Sequence, residues 1–217
     1  MNKLNRMDKK LVVSPSPHIH SSVSTPRLMS DVIIALIPAF IVSVIFYGFS
    51  SVIVTAIAVV SCLLAEYLIQ RFILKGKNTL MDYSAAVTGV LLAFNLPATI
   101  PWWIIVIGSV VAIGVGKMSF GGLGRNLFNL ALVGRVFLLI SFPVQMTSFT
   151  LPNSVDATSG ATPLSFVKQA LAKGESLSEI MPNFNSFDLF LGDKGGSLGE
   201  IAAGALLLGF VYLLWRK

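Results

Sequence analysis

The chain has 217 residues, 54% of them hydrophobic and only 12% charged, with a formal net charge of +6. That charge content is about half of the ~25% usual in soluble domains, and a mean hydropathy of +0.80 excludes an ordinary soluble enzyme and makes the bilayer the expected solvent. The basic residues cluster between apolar runs rather than along one face, so the positive balance is topological and not a nucleic-acid footprint. The single cysteine, Cys62, excludes an internal disulfide and a cysteine cage for zinc or iron–sulfur.

Residues 1–30 carry Lys3, Arg6, Lys9 and Lys10 ahead of any apolar core, so they read as a polar cytosolic arm and not as a cleavable leader. His18 and His20 lie in this arm, but two histidines without a third ligand nearby do not make a metal site. Apolar runs follow from Asp31 to about Tyr47, with Pro38 inside, and from about Val52 to Ile69, after a turn at Gly48–Ser51. Each is long enough to span the hydrocarbon. The run Tyr83–Leu96 is too short to cross unaided, and its small residues Ser84, Ala85, Ala86, Thr88 and Gly89 allow a neighbouring backbone to approach. Trp102–Gly116, Asn126–Phe142 and Ser197–Trp215 complete six crossings, so residues 31–142 read as helices one to five and residues 198–217 as helix six.

Alternating these segments with the N-terminus inside gives a test, because cytoplasmic loops hold the lysines and arginines. The inside segments then carry Lys3, Arg6, Lys9, Lys10, Arg27, Arg71, Lys75, Lys77, Lys117, Arg125, Arg216 and Lys217, twelve of the sixteen. The long segment 143–197 falls outside and is net negative. Loops of that length tend to carry function.

Within that loop stands Asp156-Ala157-Thr158-Ser159-Gly160-Ala161-Thr162-Pro163. It resembles the D-x-x-[ST]-G-A-T motif of flavin transferase substrates, whose last threonine receives FMN as a phosphoester. A hydroxyl that must enter another enzyme's site needs small neighbours and a permissive backbone, as Gly160 and Ala161 provide. The same residues read equally as a helix start, with Thr162 as N-cap, Pro163 at the first position and Gly174 as the stop. The readings are compatible, because a phosphate on an N-cap threonine faces free N–H groups.

The run Gly121-Gly122-Leu123-Gly124-Arg125-Asn126-Leu127-Phe128-Asn129-Leu130-Ala131, the run Leu138 to Thr147, and Ser16-Pro17-His18 with Met29 and Pro38 resemble the D component of the Rnf ion-translocating electron transport complex. The related B component of the sodium-translocating NADH:quinone reductase shares the threonine motif. Leu127 and Leu130 stand where the family's turn has prolines. The resemblance implies an all-α polytopic membrane protein whose six transmembrane or half helices form the first half of a urea-transporter-like fold, shortened at its C-terminus. It implies covalent FMN on Thr162, with Asp156, Ser159, Gly160 and Ala161 as the recognition residues, and leaves open a second flavin. It also implies an electron-relay subunit of a ferredoxin- and NAD-linked translocase in the bacterial cytoplasmic membrane. Its partners would be the other membrane and peripheral subunits, the lipid bilayer and a maturing flavin transferase. No acid–base pair marks the chain itself as catalytic. The competing readings are a component of the sodium-translocating quinone reductase, a urea-transporter-like solute channel and a docking scaffold.

Further polar residues stand out. Arg135, mid-helix, needs a partner or a water-filled cavity. Glu66 sits about one turn from Arg71, which makes interfacial snorkelling the default and an ion-coupling site the alternative. Asp31 reads as the N-cap of the first crossing. Asn95 and Asn129 flank helix breaks, where amides can satisfy freed backbone groups or line a flavin or ion path.

Overall fold

The computed structural model describes residues 24–75, 79–149, 163–173, 195–201 and 203–216, and among them there are eight α-helices and no strand. Helix α1 (Thr25–Tyr47) begins after the extended Ser24, with a proline in its first turn, and runs through Pro38. Gly48, at φ +64°, turns the chain within one residue into α2 (Phe49–Leu68). That backbone region is open to glycine at little cost. A π-helical turn, Ile69–Leu74, extends α2. After the short 3-10 turn Leu80–Asp82 come α3 (Ser84–Phe94) and α4 (Trp102–Val111), the latter extended by a second π-helical turn, Ala112–Lys117. Helices α5 (Leu130–Ser141), α6 (Pro143–Thr147), α7 (Pro163–Ala172) and α8 (Ala203–Arg216) follow.

Three helical stretches are long and apolar enough to cross a bilayer: Thr25–Tyr47, Phe49–Leu74 and Trp102–Phe120. The expected half-depth helix is present as α3, with 11 residues. Two other segments are also shorter than the apolar runs suggested. Helix α5 has 12 residues and α8 has 14, rises of about 18 and 21 Å. In α5 the loss is at the start. Gly121, Gly122 and Gly124 all have positive φ, and the side chain of Asn129 caps the helix by accepting the Ala131 N–H at 3.0 Å. The helix break therefore persists with leucines in place of the two prolines. In α8 the loss is also at the start, because residues 195–201 are non-helical.

Residue pairs fix the direction of each segment. Lys117 meets Glu66 and Ser109 meets Ala58, so α4 runs parallel to α2. Gly89 lies against Val59, so α3 runs antiparallel to both. Helix α8 returns antiparallel to α1, with Gly209 against Ala35 and Arg216 at Asp31. The crossings are tight because small residues stand at them. A Cβ on Gly89 would come within 2.6 Å of the Val59 Cα, and one on Gly134 within 2.9 Å of the Gly108 carbonyl oxygen. Membrane helices associate largely through such close packing. The core between them holds Val54, Ala58, Leu92, Leu96, Ile104, Ile105 and Leu138. One end of the bundle, marked by Ser24, Lys75, Lys117 and Arg216, is thus separated by apolar packing from the other, marked by Tyr47, Asn95, Trp102 and Ser141. At this second end Trp103 meets Phe142 edge-on, with ring centroids 5.2 Å apart.

Candidate functional site

Asp156, Ser159, Gly160, Ala161 and Thr162 lie outside the described residues, as do His18 and His20. The helix next to the motif is described and starts at Pro163, as the proline and its neighbours predicted. Lys168 and Gln169 on it and Lys173 just after it are exposed.

The most buried polar constellation lies at the Lys75 end. The Lys117 side chain is 1% exposed and that of Glu66 0%. Lys117 Nζ donates to both Glu66 carboxylate oxygens at 2.7 Å and to Ser84 Oγ at 2.7 Å, which uses all three ammonium hydrogens. Glu66 Oε1 also accepts from Thr79 Oγ1 at 2.7 Å and from Gln70 Nε2 at 3.1 Å. Gln70 is held in turn, accepting the Thr79 amide at 3.0 Å and donating to the Thr79 hydroxyl. Local backbone builds this arrangement. The two π-helical turns carry Gln70 and Lys117, and such turns re-aim side chains within a helix. Tyr83, at φ +56°, swings the chain into α3 so that Ser84 opens that helix.

This arrangement corrects the reading of Glu66. Arg71 is exposed and Glu66 is sealed against Lys117 instead, because a desolvated carboxylate needs several donors that a snorkelling arginine at the interface does not supply. Lys117 correspondingly is no free surface charge. Sequence reasoning missed Lys117, Gln70, Thr79 and Ser84. The available signal was a lysine in the otherwise apolar stretch Ala112–Met118, which needs a counter-charge as much as Glu66 does.

A second constellation lies at the Tyr47 end. Arg135 finds the partners it was expected to need: its Nη1 donates to Asn95 Oδ1 at 2.6 Å, and its Nη2 lies 3.6 Å from Glu200 Oε1. Asn95 donates to the Leu91 carbonyl at 2.7 Å, so it satisfies a freed helix-end group as anticipated. Residues 195–201 dock beside it. Leu198 N–H donates to the Leu96 carbonyl at 3.1 Å and Gly199 N–H to the Phe94 carbonyl at 2.9 Å, taking up unpaired carbonyls at the end of α3. Tyr47 Oη donates to the Gly196 carbonyl at 2.9 Å. Nothing in the sequence pattern marked Glu200, which stands in a Gly-Ser-Leu-Gly-Glu run with no charged neighbour in sequence after Lys194.

Asp31 is not an N-cap. It lies two turns inside α1 and accepts from Arg216 Nε at 3.1 Å and Tyr212 Oη at 3.3 Å, because the helix starts earlier, at Thr25. Among the described residues no three His, Cys, Asp or Glu side chains group as a metal site. A groove of about 590 Å³ opens between the ends of α4 and α5, lined by Val115, Phe120, Phe128, Val133 and Phe137 among others. Asn126, three residues before the α5 cap, has its Oδ1 buried and without a partner among the described residues.

Apolar helices of alternating direction, glycines at their crossings and an ion pair sealed between them define a polytopic helical membrane protein. The chain belongs to the NQR2, RnfD, RnfE family, whose model matches residues 12–217. It is similar to the D component of the Na(+)-translocating ferredoxin:NAD(+) oxidoreductase complex of Acetobacterium woodii, 47% identical over the whole of this chain and 64% of the relative. It is also similar to the D component of the ion-translocating oxidoreductase complex of Escherichia coli, 34% identical over 94% of this chain and 66% of the relative. The chain thus spans just under two thirds of the length of these relatives.

Proposed function

We propose that this chain is the membrane subunit of a redox-driven, ion-translocating electron transport complex linked to ferredoxin and NAD, and that it carries FMN as a phosphoester on Thr162. The observation that carries the reading is the Asp156–Thr162 run, directly ahead of a helix beginning at Pro163, in a member of this family. Bound flavin would supply one- and two-electron transfer; the chain supplies its placement. Gly160 and Ala161 leave the Thr162 hydroxyl accessible to a flavin transferase, and Asp156 and Ser159 complete its recognition. The remaining subunits of the complex are the partners.

In this reading the apolar segments make six crossings or half-crossings of the bacterial cytoplasmic membrane and form the first half of a urea-transporter-like fold. The arm 1–30 and the Lys75 end face the cytoplasm, and the loop 143–197 faces outward. The charge asymmetry supports that orientation: Arg27, Arg71, Lys75, Arg125 and Arg216 all fall at one end.

The test is co-expression with a flavin transferase, denaturing electrophoresis and inspection of the band for flavin fluorescence. The wild type is expected to fluoresce and Thr162→Val to be dark. A dark wild-type band rejects the flavin reading; a fluorescent Thr162→Val band rejects the site.

A further inference from the structure

The groove between α4 and α5 lies at a defined depth. Its lining runs from Val111 to Phe120 on one side and from Phe128 to Phe137 on the other. Val111 is the middle residue of the membrane-length stretch Trp102–Phe120, and Phe120 ends that stretch at the Lys75 end of the bundle. Along α5 the lining starts at Asn129 and stops at Phe137, a turn short of Ser141, a rise of about 12 Å. One leaflet of a bilayer supplies about 15 Å of hydrocarbon. The groove therefore follows a single leaflet and ends near mid-membrane. A transmembrane helix seated between α4 and α5 would need a contact surface along the whole crossing, about twice that length. The walls are apolar apart from Asn129, whose side chain is engaged with the Ala131 N–H.

The mouth of the groove carries charge of one sign. Arg125 is the one charged residue in the stretch from Met118 to Leu130. A Cβ on Gly121 would lie 3.4 Å from Arg125 Cδ and 3.5 Å from its Nη1, so the side chain folds back across the residue that follows Phe120. Because Phe120 lines the groove, the guanidinium stands at its mouth. Lys117 and Arg216 at the same end each meet a carboxylate, whereas Arg125 has no acceptor among the described residues. A planar guanidinium matches the paired oxygens of a phosphate.

We propose that the groove and Arg125 together form a binding site for an anionic phospholipid in the leaflet at the Lys75 end. One acyl chain lies between α4 and α5, and the headgroup phosphate rests on the Arg125 guanidinium. Basic pockets between membrane helices hold anionic headgroups in this way. Charge complementarity selects this occupant over a zwitterionic lipid, whose ammonium offsets its phosphate and finds no carboxylate beside Arg125. The site goes beyond the electron-transfer reading and rests only on the embedding of the helices in a bilayer.

The experiment places the purified complex in phosphatidylcholine nanodiscs containing a trace of phosphatidylglycerol with a photoactivatable group at the end of its acyl chain, and maps the adducts by peptide mass spectrometry. Adducts are expected on Val111–Val115 and on Leu132–Phe137. Unlabelled phosphatidylglycerol should suppress them, and unlabelled zwitterionic phosphatidylethanolamine should not. Arg125→Gln should lower the yield about fivefold, the share of one basic group in attraction to anionic lipid, and Arg125→Lys should keep most of it. Val136→Trp, which fills the groove from an exposed position, should abolish the adducts with Arg125 intact. Wild-type adducts absent from both helices would overturn the proposal and show the groove covered by protein, either another subunit's helix or a second copy. Equal suppression by the two competitors, or an unchanged yield in Arg125→Gln, would overturn it as well, leaving a surface that any lipid wets. If Arg125→Gln does not assemble, the two competitors on the wild type decide the matter. The flavin test at Thr162 is independent of every one of these outcomes.

Discussion

Lys117 Nζ and the Glu66 carboxylate, 51 residues apart in the chain, meet at 2.7 Å on both oxygens in a place that water does not reach. The contact joins α2, the start of α3 through Ser84, and the π-helical end of α4. Removing one partner leaves a buried charge uncompensated, which costs about 3–5 kcal/mol. Lys117→Met is therefore expected to lower the unfolding temperature sharply in detergent. The double variant Glu66→Leu with Lys117→Met should recover much of the loss, because the apolar replacement removes both desolvated charges. Thermal scans of the two single variants and the double variant check this, and a double-variant loss equal to the sum of the single losses would show that the pair is not coupled.

The glycines separate two physical causes of destabilisation. At Gly89 an added Cβ would sit 2.6 Å from Val59 Cα and 3.0 Å from the Ala58 carbonyl oxygen, and backbone cannot yield without parting α2 from α3. Gly89→Ala should cost about 1–3 kcal/mol, as overpacking does. At Gly48 nothing lies within 4 Å of the added atom, but φ +64° with ψ −146° is a backbone region kept almost wholly for glycine, so Gly48→Ala should cost about 1–3 kcal/mol of backbone strain alone. Gly89→Leu and Gly48→Leu distinguish them further: a larger side chain worsens the clash at Gly89, whereas at Gly48, where nothing lies within 4 Å, a side chain unbranched at Cβ adds little beyond the strain. Unfolding midpoints of the four variants give the comparison.

Much of this arrangement was legible in the sequence, and the exceptions share a cause. Apolar runs and helix-breaking glycines report local preferences, so the three membrane-length helices, the short α3 and the Asn129 break could be read directly, while the shortening of α5 and α8 could not. The small residues at the head of α3 correctly announced a close neighbour. Pairings across the bundle could not be read that way. Glu66 offered Arg71 as its nearest opposite charge in sequence, and only the packing of α4 on α2 brings Lys117 in. Asp31 looked like a cap because the apolar run begins there, yet Pro26 starts the helix earlier and α8 supplies Arg216. Glu200 gave no signal at all, since its setting depends on residues 195–201 docking at the end of α3.

The proposed orientation of the bundle rests on the charge asymmetry between its two ends and can be measured with thiol labels. Cys62 is fully buried, so an impermeant maleimide should leave the wild type unmodified in intact cells and give a clean background. Ser148→Cys is exposed at the Tyr47 end and Arg125→Cys at the Lys75 end. Intact cells should label Ser148→Cys only, and inverted vesicles should label Arg125→Cys only. The reverse pattern would put the loop 143–197 in the cytoplasm and remove the basis for an outward-facing Thr162.

Arg135 holds residues 195–201 from two sides, through Asn95 at the end of α3 and through Glu200 within the segment. Arg135→Leu removes both contacts, yet the two backbone hydrogen bonds from Leu198 and Gly199 remain. The segment should therefore open more often without losing its place. A loss of about 1 kcal/mol from a part-exposed network would raise local opening about fivefold. Amide exchange of a peptide covering 195–201 should accelerate by that factor, while peptides from Val54 to Ala65 in α2 should not change, since local openings are confined to weakly held units. Acceleration in both regions would mean that Arg135 supports the whole bundle, and no change in either would mean that the backbone bonds alone hold the segment.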